Sequence, residues 1–351
     1  MTYQHTIHWS VDKGVSNLKE SVEIKEAAQK LAAGELIAFP TETVYGLGAS
    51  ARSHAAVKSI FEAKGRPSDN PLIVHIARAE DVNNYVEEVP ETAWKLMNSF
   101  WPGPLTIILR HNGVLSTSVT AGLTTVALRM PDHPVALALI EASGEPVAAP
   151  SANRSGRPSP TTAGHVREDL DGRIAGIVDG GATGVGLEST VVDCTQHPVM
   201  ILRPGGVTKS QLEAVVGPVE VDPALQESAA EEAPRSPGMK YKHYAPEAPL
   251  TLIDGDKTFF HMCITEAKEK GSRIGVIVDK KEAADVEADK TYLLENSDGE
   301  TVARELYAAL RYFKKEDVDH IFMRVQPEDD IGFAIMNRLI KAAGGRILSQ
   351  H

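Results

Sequence analysis

The sequence predicts an α/β protein in two pieces: a large mixed sheet covered by helices, then a linker and a small α/β unit of crossover type. Three observations carry this. Short apolar runs interleave with amphipathic stretches along residues 1–217, several of those runs are continuously apolar, and the pattern breaks between Gly217 and Pro249 before it resumes. At 351 residues the chain also exceeds the commonest single-domain size. The expected divisions are a catalytic-sized domain over 1–217, a linker over 218–248 and a small domain over 249–351.

From 22 to 33 apolar residues recur at helical spacing (Ile24, Ala27, Ala28, Leu31), and Gly34 supplies a stop. Residues 36–39 read as a short buried strand that delivers Pro40-Thr41-Glu42-Thr43-Val44-Tyr45-Gly46-Leu47-Gly48 into a loop. A helix is expected over 55–63. Lys64-Gly65-Arg66-Pro67-Ser68-Asp69-Asn70-Pro71-Leu72 follows it and leads into a strand over 71–76. Next come a helix over 92–100, strands over 105–109 and 125–129, a helix over 135–142 and a strand over 147–149. That strand ends at Ser151-Ala152-Asn153-Arg154-Ser155-Gly156. A helix over 163–170, strands over 174–178, 189–193 and 199–202, and a helix over 210–216 complete the first piece. Its short strand-to-strand links argue against a purely parallel sheet. Beyond the linker, strands over 250–253, 274–278 and 320–324 alternate with helices over 259–270, 301–313 and 331–343, as crossover units do. No internal repeat joins the two pieces.

Composition narrows the function. With 36 Lys+Arg against 48 Asp+Glu, the formal charge of −12 argues against a surface that grips nucleic acid by bulk electrostatics, so any anion site must be local. Cys194 and Cys263 are far apart, without a C-x-x-C neighbour, which removes a zinc ribbon and a disulfide framework. Residues 1–9 lack a basic stretch followed by a long apolar one, and no apolar run approaches bilayer length, so a cytoplasmic protein without membrane contact is expected. There is no H-E-x-x-H, no serine elbow and no ligand spacing among the histidines. Covalent catalysis and a protein-held transition metal are disfavoured.

The three polar segments each combine hydroxyl or amide side chains with Gly or Pro at turns, a pattern able to cradle a polyanion without a P-loop. Lys64 and Arg66 flank a glycine on a stiff loop; a guanidinium can fork two phosphate oxygens and an ammonium can serve as a mobile point charge. The same pair would also suit a solvated helix end that satisfies the macrodipole. His75, inside Leu72-Ile73-Val74-His75-Ile76, reads equally as a satisfied core histidine. Arg129 ends a buried strand and needs a partner, either a carboxylate ligand or Glu42 or Glu188. Ser151 and Asn153 follow a strand's carboxyl end, where ligands of α/β sheets collect, but residues of this kind also cap helices. Gly180–Gly186 forms either a loop that approaches a ligand or a hairpin, and Arg203 alone is a weak signal.

With these residues in hand, the chain resembles the threonylcarbamoyl-AMP synthase family, the YrdC-like enzymes that begin N6-threonylcarbamoyladenosine synthesis on tRNA, in its longer two-domain form. The likeness spans essentially the whole chain, including Lys240-Tyr241-Lys242-His243-Tyr244-Ala245-Pro246 in the linker, and it implies a large twisted mixed-sheet YrdC-like domain followed by a small Rossmann-like α/β domain. It implies a reaction of L-threonine, bicarbonate or carbon dioxide, and ATP to give threonylcarbamoyl-AMP and pyrophosphate. By the resemblance, Lys64 and Arg66 act in catalysis, and Thr43, His75, Arg129 and Ser189 hold threonine or its carbamate. Arg66, Asn70, Thr125, Ala149, Ser151, Asn153, Ser159, Arg203 and Tyr244 surround ATP, Tyr244 as part of a lid. Mg²⁺ is expected to arrive with ATP, held mainly by its phosphates. Downstream tRNA threonylcarbamoyl transferase proteins are the expected partners, with weak tRNA contact. Two competing readings are a non-catalytic RNA-binding module of tRNA or ribosome maturation, which the acidic total opposes, and carbamoyl-adenylate chemistry for hydrogenase maturation, whose zinc-finger and acylphosphatase segments are absent.

Overall fold

A computed structural model describes residues 5–225 and 243–350. The chain divides into two compact units, one over 1–155 and 159–240, the other over 156–158 and 241–351. In the first, the strands are β1 (Ile7–Ser10), β2 (Ile37–Phe39), β3 (Gly46–Ser50), β4 (Ile73–His75), β5 (Leu105–Arg110), β6 (Thr125–Arg129), β7 (Val147–Ala148), β8 (Gly176–Asp179), β9 (Thr190–Asp193), β10 (Val199–Arg203) and β11 (Val219–Val221). The helices are α1 (Val22–Ala32), α2 (His54–Lys64), α3 (Glu91–Phe100), α4 (Thr117–Thr120), α5 (Pro134–Ser143), α6 (Ala163–Leu170) and α7 (Lys209–Val216). Local sequence sets several boundaries. The hydroxyls of Ser21 and Ser53 accept from the third amide of α1 and α2, and α7 carries a full capping box from Thr208 and Gln211.

The strands form one mixed sheet in the order β1-β8-β2-β3-β7-β4-β6-β5-β9-β10-β11. Alternation along each strand splits its apolar residues between two faces. In β2, Ile37 and Phe39 pack with Ile24 and Leu31 of α1 and Leu139 of α5, whereas Ala38 packs with Val57 and Ile60 of α2. Farther along the sheet, Ile73, Ile108, Ala127, Val191 and Leu202 form a small cluster built from strands alone. These residues alternate with members of the α2-side core such as Val74, Ile107, Leu128 and Val192. The strand-built cluster therefore marks sheet surface on the side away from α2, and side chains on this stretch are available for a site.

Two expectations change here. The first polar segment is not loop throughout, because Gly46–Ser50 is β3, antiparallel to β2 and to β7. Its glycines look like turn residues, yet Gly48 is needed for packing: a Cβ there would lie 2.8 Å from both the Phe39 ring and a Val147 methyl. The sheet also continues past Gly217, since β11 pairs in parallel with β10 inside the span expected as linker. Most of that expected linker, 226–242, lies outside the described residues.

In the second unit, β12 (Leu250–Asp254), β13 (Ile274–Asp279), β14 (Lys290–Leu294), β15 (His320–Arg324) and β16 (Ile347–Ser349) order as β14-β13-β15-β12-β16. Every pair is parallel. The connecting helices are α8 (Lys257–Glu269), α9 (Lys280–Ala283), α10 (Gly299–Tyr312) and α11 (Ile331–Ala343), which matches the expected crossover pattern. Residues 156–158 belong here, because Arg311 of α10 donates to the Pro158 carbonyl from Nε and Nη2, and the Ala245 amide donates to Gly156. No described helix is long and apolar enough to cross a membrane.

Candidate active site

β4 and β6 run parallel with His75 opposite Arg129. By alternation both share the strand-built face with Ile73 and Ala127. Burial, and then the charge of Arg129, pushes the His75 pKa down to about 3, so the ring is neutral at pH 7. Its Nδ1 has no hydrogen-bond partner, which sets aside the satisfied core histidine. Arg129 donates from Nε to the Gly103 carbonyl at 3.2 Å, and its Nη2 lies 2.6 Å from Glu42 Oε1. The partner that the sequence left open is therefore Glu42.

Glu42 and Thr43 sit in a turn fixed by Thr41, whose hydroxyl donates to the Val44 carbonyl at 2.6 Å and accepts from the Thr43 and Val44 amides. Backbone bonds then stitch this segment to others remote in sequence. The Tyr45 amide donates to Pro160 and the Leu47 amide to Pro150, and the Ala152 amide donates to Tyr45, each at 2.8 Å. The Glu42 carbonyl accepts from the amides of Gly184 and Val185, and the Tyr45 hydroxyl donates to the Gly181 carbonyl at 2.6 Å. Gly180–Gly186 is thus a loop joined to the first polar segment and not a hairpin.

Helix α2 ends at Gly65, which takes φ 61, and the Arg66 amide closes the turn on the Phe61 carbonyl at 2.9 Å. This turn aims Lys64 inward, at 3% exposure. Its Nζ donates to the carbonyls of Ser151 at 2.5 Å and Asn153 at 2.6 Å. The expected mobile point charge is instead a brace between the second and third segments, because a buried ammonium is tolerable only where acceptors surround it. Arg66 keeps its guanidinium 6.0 Å from the Phe61 ring centre. Asn70 is fully enclosed, yet neither atom of its amide has a hydrogen-bond partner, at a cost of about 1–3 kcal/mol per group.

Ser151 donates to the Asn153 amide oxygen at 2.6 Å, and the following helix is capped by Thr162, so these two residues do not cap it. Ser159 donates to Glu188 at 2.6 Å. Ser189 lies 2.7 Å from the Thr106 hydroxyl, and Arg203 donates to the Ser189 carbonyl from Nε and to its hydroxyl from Nη2, both at 3.0 Å. A register shift between Ile201 and Arg203 breaks the alternation of β10 there. Ala149 donates its amide to Ile73, and Thr125 opens β6 opposite Arg110. Tyr244 lies in the second unit, at φ 64, stacked on Tyr307 with ring centres 5.2 Å apart. Of the other expected lid residues, Lys240, Tyr241 and Lys242 fall outside the described residues.

Sequence reasoning missed Thr106 and the pairing of Ser159 with Glu188, and it gave Glu42 no role except as a partner for Arg129. One signal was available, a lone hydroxyl inside the apolar run Leu105-Thr106-Ile107-Ile108-Leu109. Among the described residues, no group of three or more His, Cys, Asp or Glu side chains is placed to hold a metal ion.

A mixed sheet with cations, hydroxyls and amides drawn together by long-range loop contacts, followed by a small parallel-sheet unit, defines a two-unit α/β protein whose polar loops suit an anionic ligand. Family models place it further. One described as telomere recombination, covering Sua5, YciO and YrdC, matches residues 29–205, and one described as the threonylcarbamoyl-AMP synthase C-terminal domain matches 207–344. The chain belongs to the YrdC/Sua5 family of threonylcarbamoyl-AMP synthases. It is 53% identical over 345 residues to the threonylcarbamoyl-AMP synthase of Bacillus subtilis, covering 98% of this chain and 99% of that one. Against the Pyrococcus abyssi enzyme the identity is 47%, over 95% and 98% of the two chains. The crystal structure of P. abyssi Sua5 complexed with L-threonine superposes with a TM-score of 0.93 at 45% identity, covering 99% of this chain and 100% of that one.

Proposed function

We infer that the chain condenses L-threonine, bicarbonate or carbon dioxide, and ATP into threonylcarbamoyl-AMP and pyrophosphate, the first step of tRNA N6-threonylcarbamoyladenosine formation. The observation that carries this for the site is a set of buried polar groups with unused hydrogen-bonding capacity, Asn70, His75 and the Arg129–Glu42 pair, on elements bound to one another through remote loops. Buried groups of this kind are costly unless something they bind satisfies them.

The chemistry asks little of a protein base. Threonine's amine captures carbon dioxide to give a carbamate, whose oxygen attacks the α-phosphorus as pyrophosphate leaves. Positioning and charge neutralisation then set the rate. Thr43, His75, Arg129 and Ser189 hold threonine, with His75 acting as a neutral imidazole. Arg66, Asn70, Thr125, Ala149, Ser151, Asn153, Ser159 and Arg203 serve the nucleotide. Arg66 neutralises phosphate charge, while Lys64 acts by holding the carbonyls of Ser151 and Asn153 in place. ATP enters as its Mg²⁺ complex, the ion riding on phosphates and water. The bond between Arg203 and Ser189 links a nucleotide residue to a threonine residue, so the two substrates share a wall. A cytoplasmic location and transfer of the adenylate to tRNA-modifying partners complete the reading.

The test is pyrophosphate release by the purified chain given ATP, Mg²⁺ and bicarbonate. Release that depends on threonine is expected, and release indifferent to the amino acid overturns the reading.

A further inference from the structure

The contact between Arg129 and Glu42 joins β6 to the turn after β2. Nη2 and Oε1 stand 2.6 Å apart, with side-chain exposures of 4% and 11%, yet neither that nitrogen nor either carboxylate oxygen completes a hydrogen bond. A buried ion pair offsets its desolvation only when its remaining donors and acceptors are occupied. Here they are not. Two further buried atoms on adjoining segments are equally unused, Nδ1 of His75 and Oγ1 of Thr183. His75 is the register partner of Arg129, and Thr183 directly precedes the two amides that hold the Glu42 carbonyl. A cation, an anion and a neutral ring nitrogen thus meet from three segments, and the Thr183 hydroxyl lies on the loop bonded to the Glu42 backbone.

That set is complementary to a zwitterion. We propose that Glu42 is a threonine-recognition residue that takes the α-ammonium while Arg129 takes the α-carboxylate, the amino acid inserting its two charges into a pair that otherwise faces itself. The proposal rests on the synthase reading and adds the group that recognises the amine. A guanidinium alone accepts any carboxylate; the adjacent anion is what selects an amino acid from hydroxy acids of the same shape. It also gives the site a direction. The ammonium releases one proton to free the lone pair that forms the C–N bond, and the carbamic acid releases a second, both to solvent. The nitrogen substituent thereby changes from a cation that Glu42 attracts to an anion that Glu42 repels.

The test is titration calorimetry of the whole chain with L-threonine and with 3-hydroxybutyrate, which keeps the carboxylate and the hydroxyl but lacks the amine. Threonine should bind roughly 30-fold or more tightly, as expected for a buried charge contact. Glu42→Gln should erase the preference by lowering threonine affinity to that of 3-hydroxybutyrate, and Glu42→Asp should keep part of it. Equal affinity of the parent chain for both ligands overturns the proposal without any variant having to fold. Equal weakening of both ligands in Glu42→Gln overturns it too, since Glu42 would then only be supporting Arg129. Threonine-dependent pyrophosphate release alongside either result keeps the synthase reading and removes Glu42 alone, whereas a parent that binds neither ligand removes both.

Discussion

Both units carry ion pairs at the surface, but the first also buries charge around its polar loops. In the second, ion pairs lie at the surface: Lys257 with Asp285, Lys270 with Glu266, Arg273 with Asp319, every side chain at 47% exposure or more. Arg273 holds the Asp319 carboxyl down to about 2 through hydrogen bonds made in open solvent. In the first unit Lys64, Arg129 and Arg203 are each at least nine-tenths buried. Surface pairs contribute little to stability, and buried ones cost more than they return unless fully hydrogen-bonded. Placement of charge therefore separates scaffold from site more clearly than the amount of charge does. Arg311 and Arg338 are buried cations of the second unit, and Arg311 is occupied by the Pro158 carbonyl.

That contrast can be broken most sharply at Arg66. Arg66→Ala should lower turnover by about a hundredfold or more, as for loss of a preorganised transition-state donor, and leave the melting temperature unchanged; activity within a few-fold of the parent would remove Arg66 from the chemistry. Lys64→Met should act on stability first, by about 2–4 kcal/mol in chemical denaturation, because two inward carbonyls lose their donor. His75 supplies an acid limb. Its native pKa of about 3 lies below the ordinary 6.5, so between those values the unfolded chain takes up a proton that the native state refuses. Stability is full above about pH 6.5 and falls as the pH drops towards 3, by at most about 1.4 kcal/mol per unit from this group. His75→Gln should flatten that limb in pH-dependent melts. Asn70→Leu should stabilise the ligand-free chain by about 1–2 kcal/mol while weakening ATP binding, and a loss of both would show that the amide serves the fold. Arg273→Ala, in the second unit, should leave pyrophosphate release at the parental rate and lower stability by no more than about 1 kcal/mol, as for an exposed ion pair.

How much was legible follows the range of the interactions involved. The longer helices announced themselves through local signals, such as the period of Ile24, Ala27, Ala28 and Leu31 and the αL glycine after Lys64, with boundaries within a residue or two, whereas the single-turn α4 and α9 were missed. Strands without a long apolar run were missed. β1 and β14 carry His, Lys and Thr and are partly exposed, and β3 is rich in glycine for a reason that lies in Phe39 and Val147. The polar segments were visible as composition. Their meaning was not, because Lys64 meeting Ser151, Arg203 meeting Ser189 and Arg129 meeting Glu42 each depend on which loops the sheet order brings together.

The bracing of Lys64 has a chemical corollary. An unprotonated lysine amine is itself a nucleophile towards carbon dioxide, so a free one beside the substrate would divert the gas into a dead-end adduct. With Nζ held between the carbonyls of Ser151 and Asn153, Lys64 is pinned to the loops it joins and is kept from moving freely as a rival to the substrate's own amine.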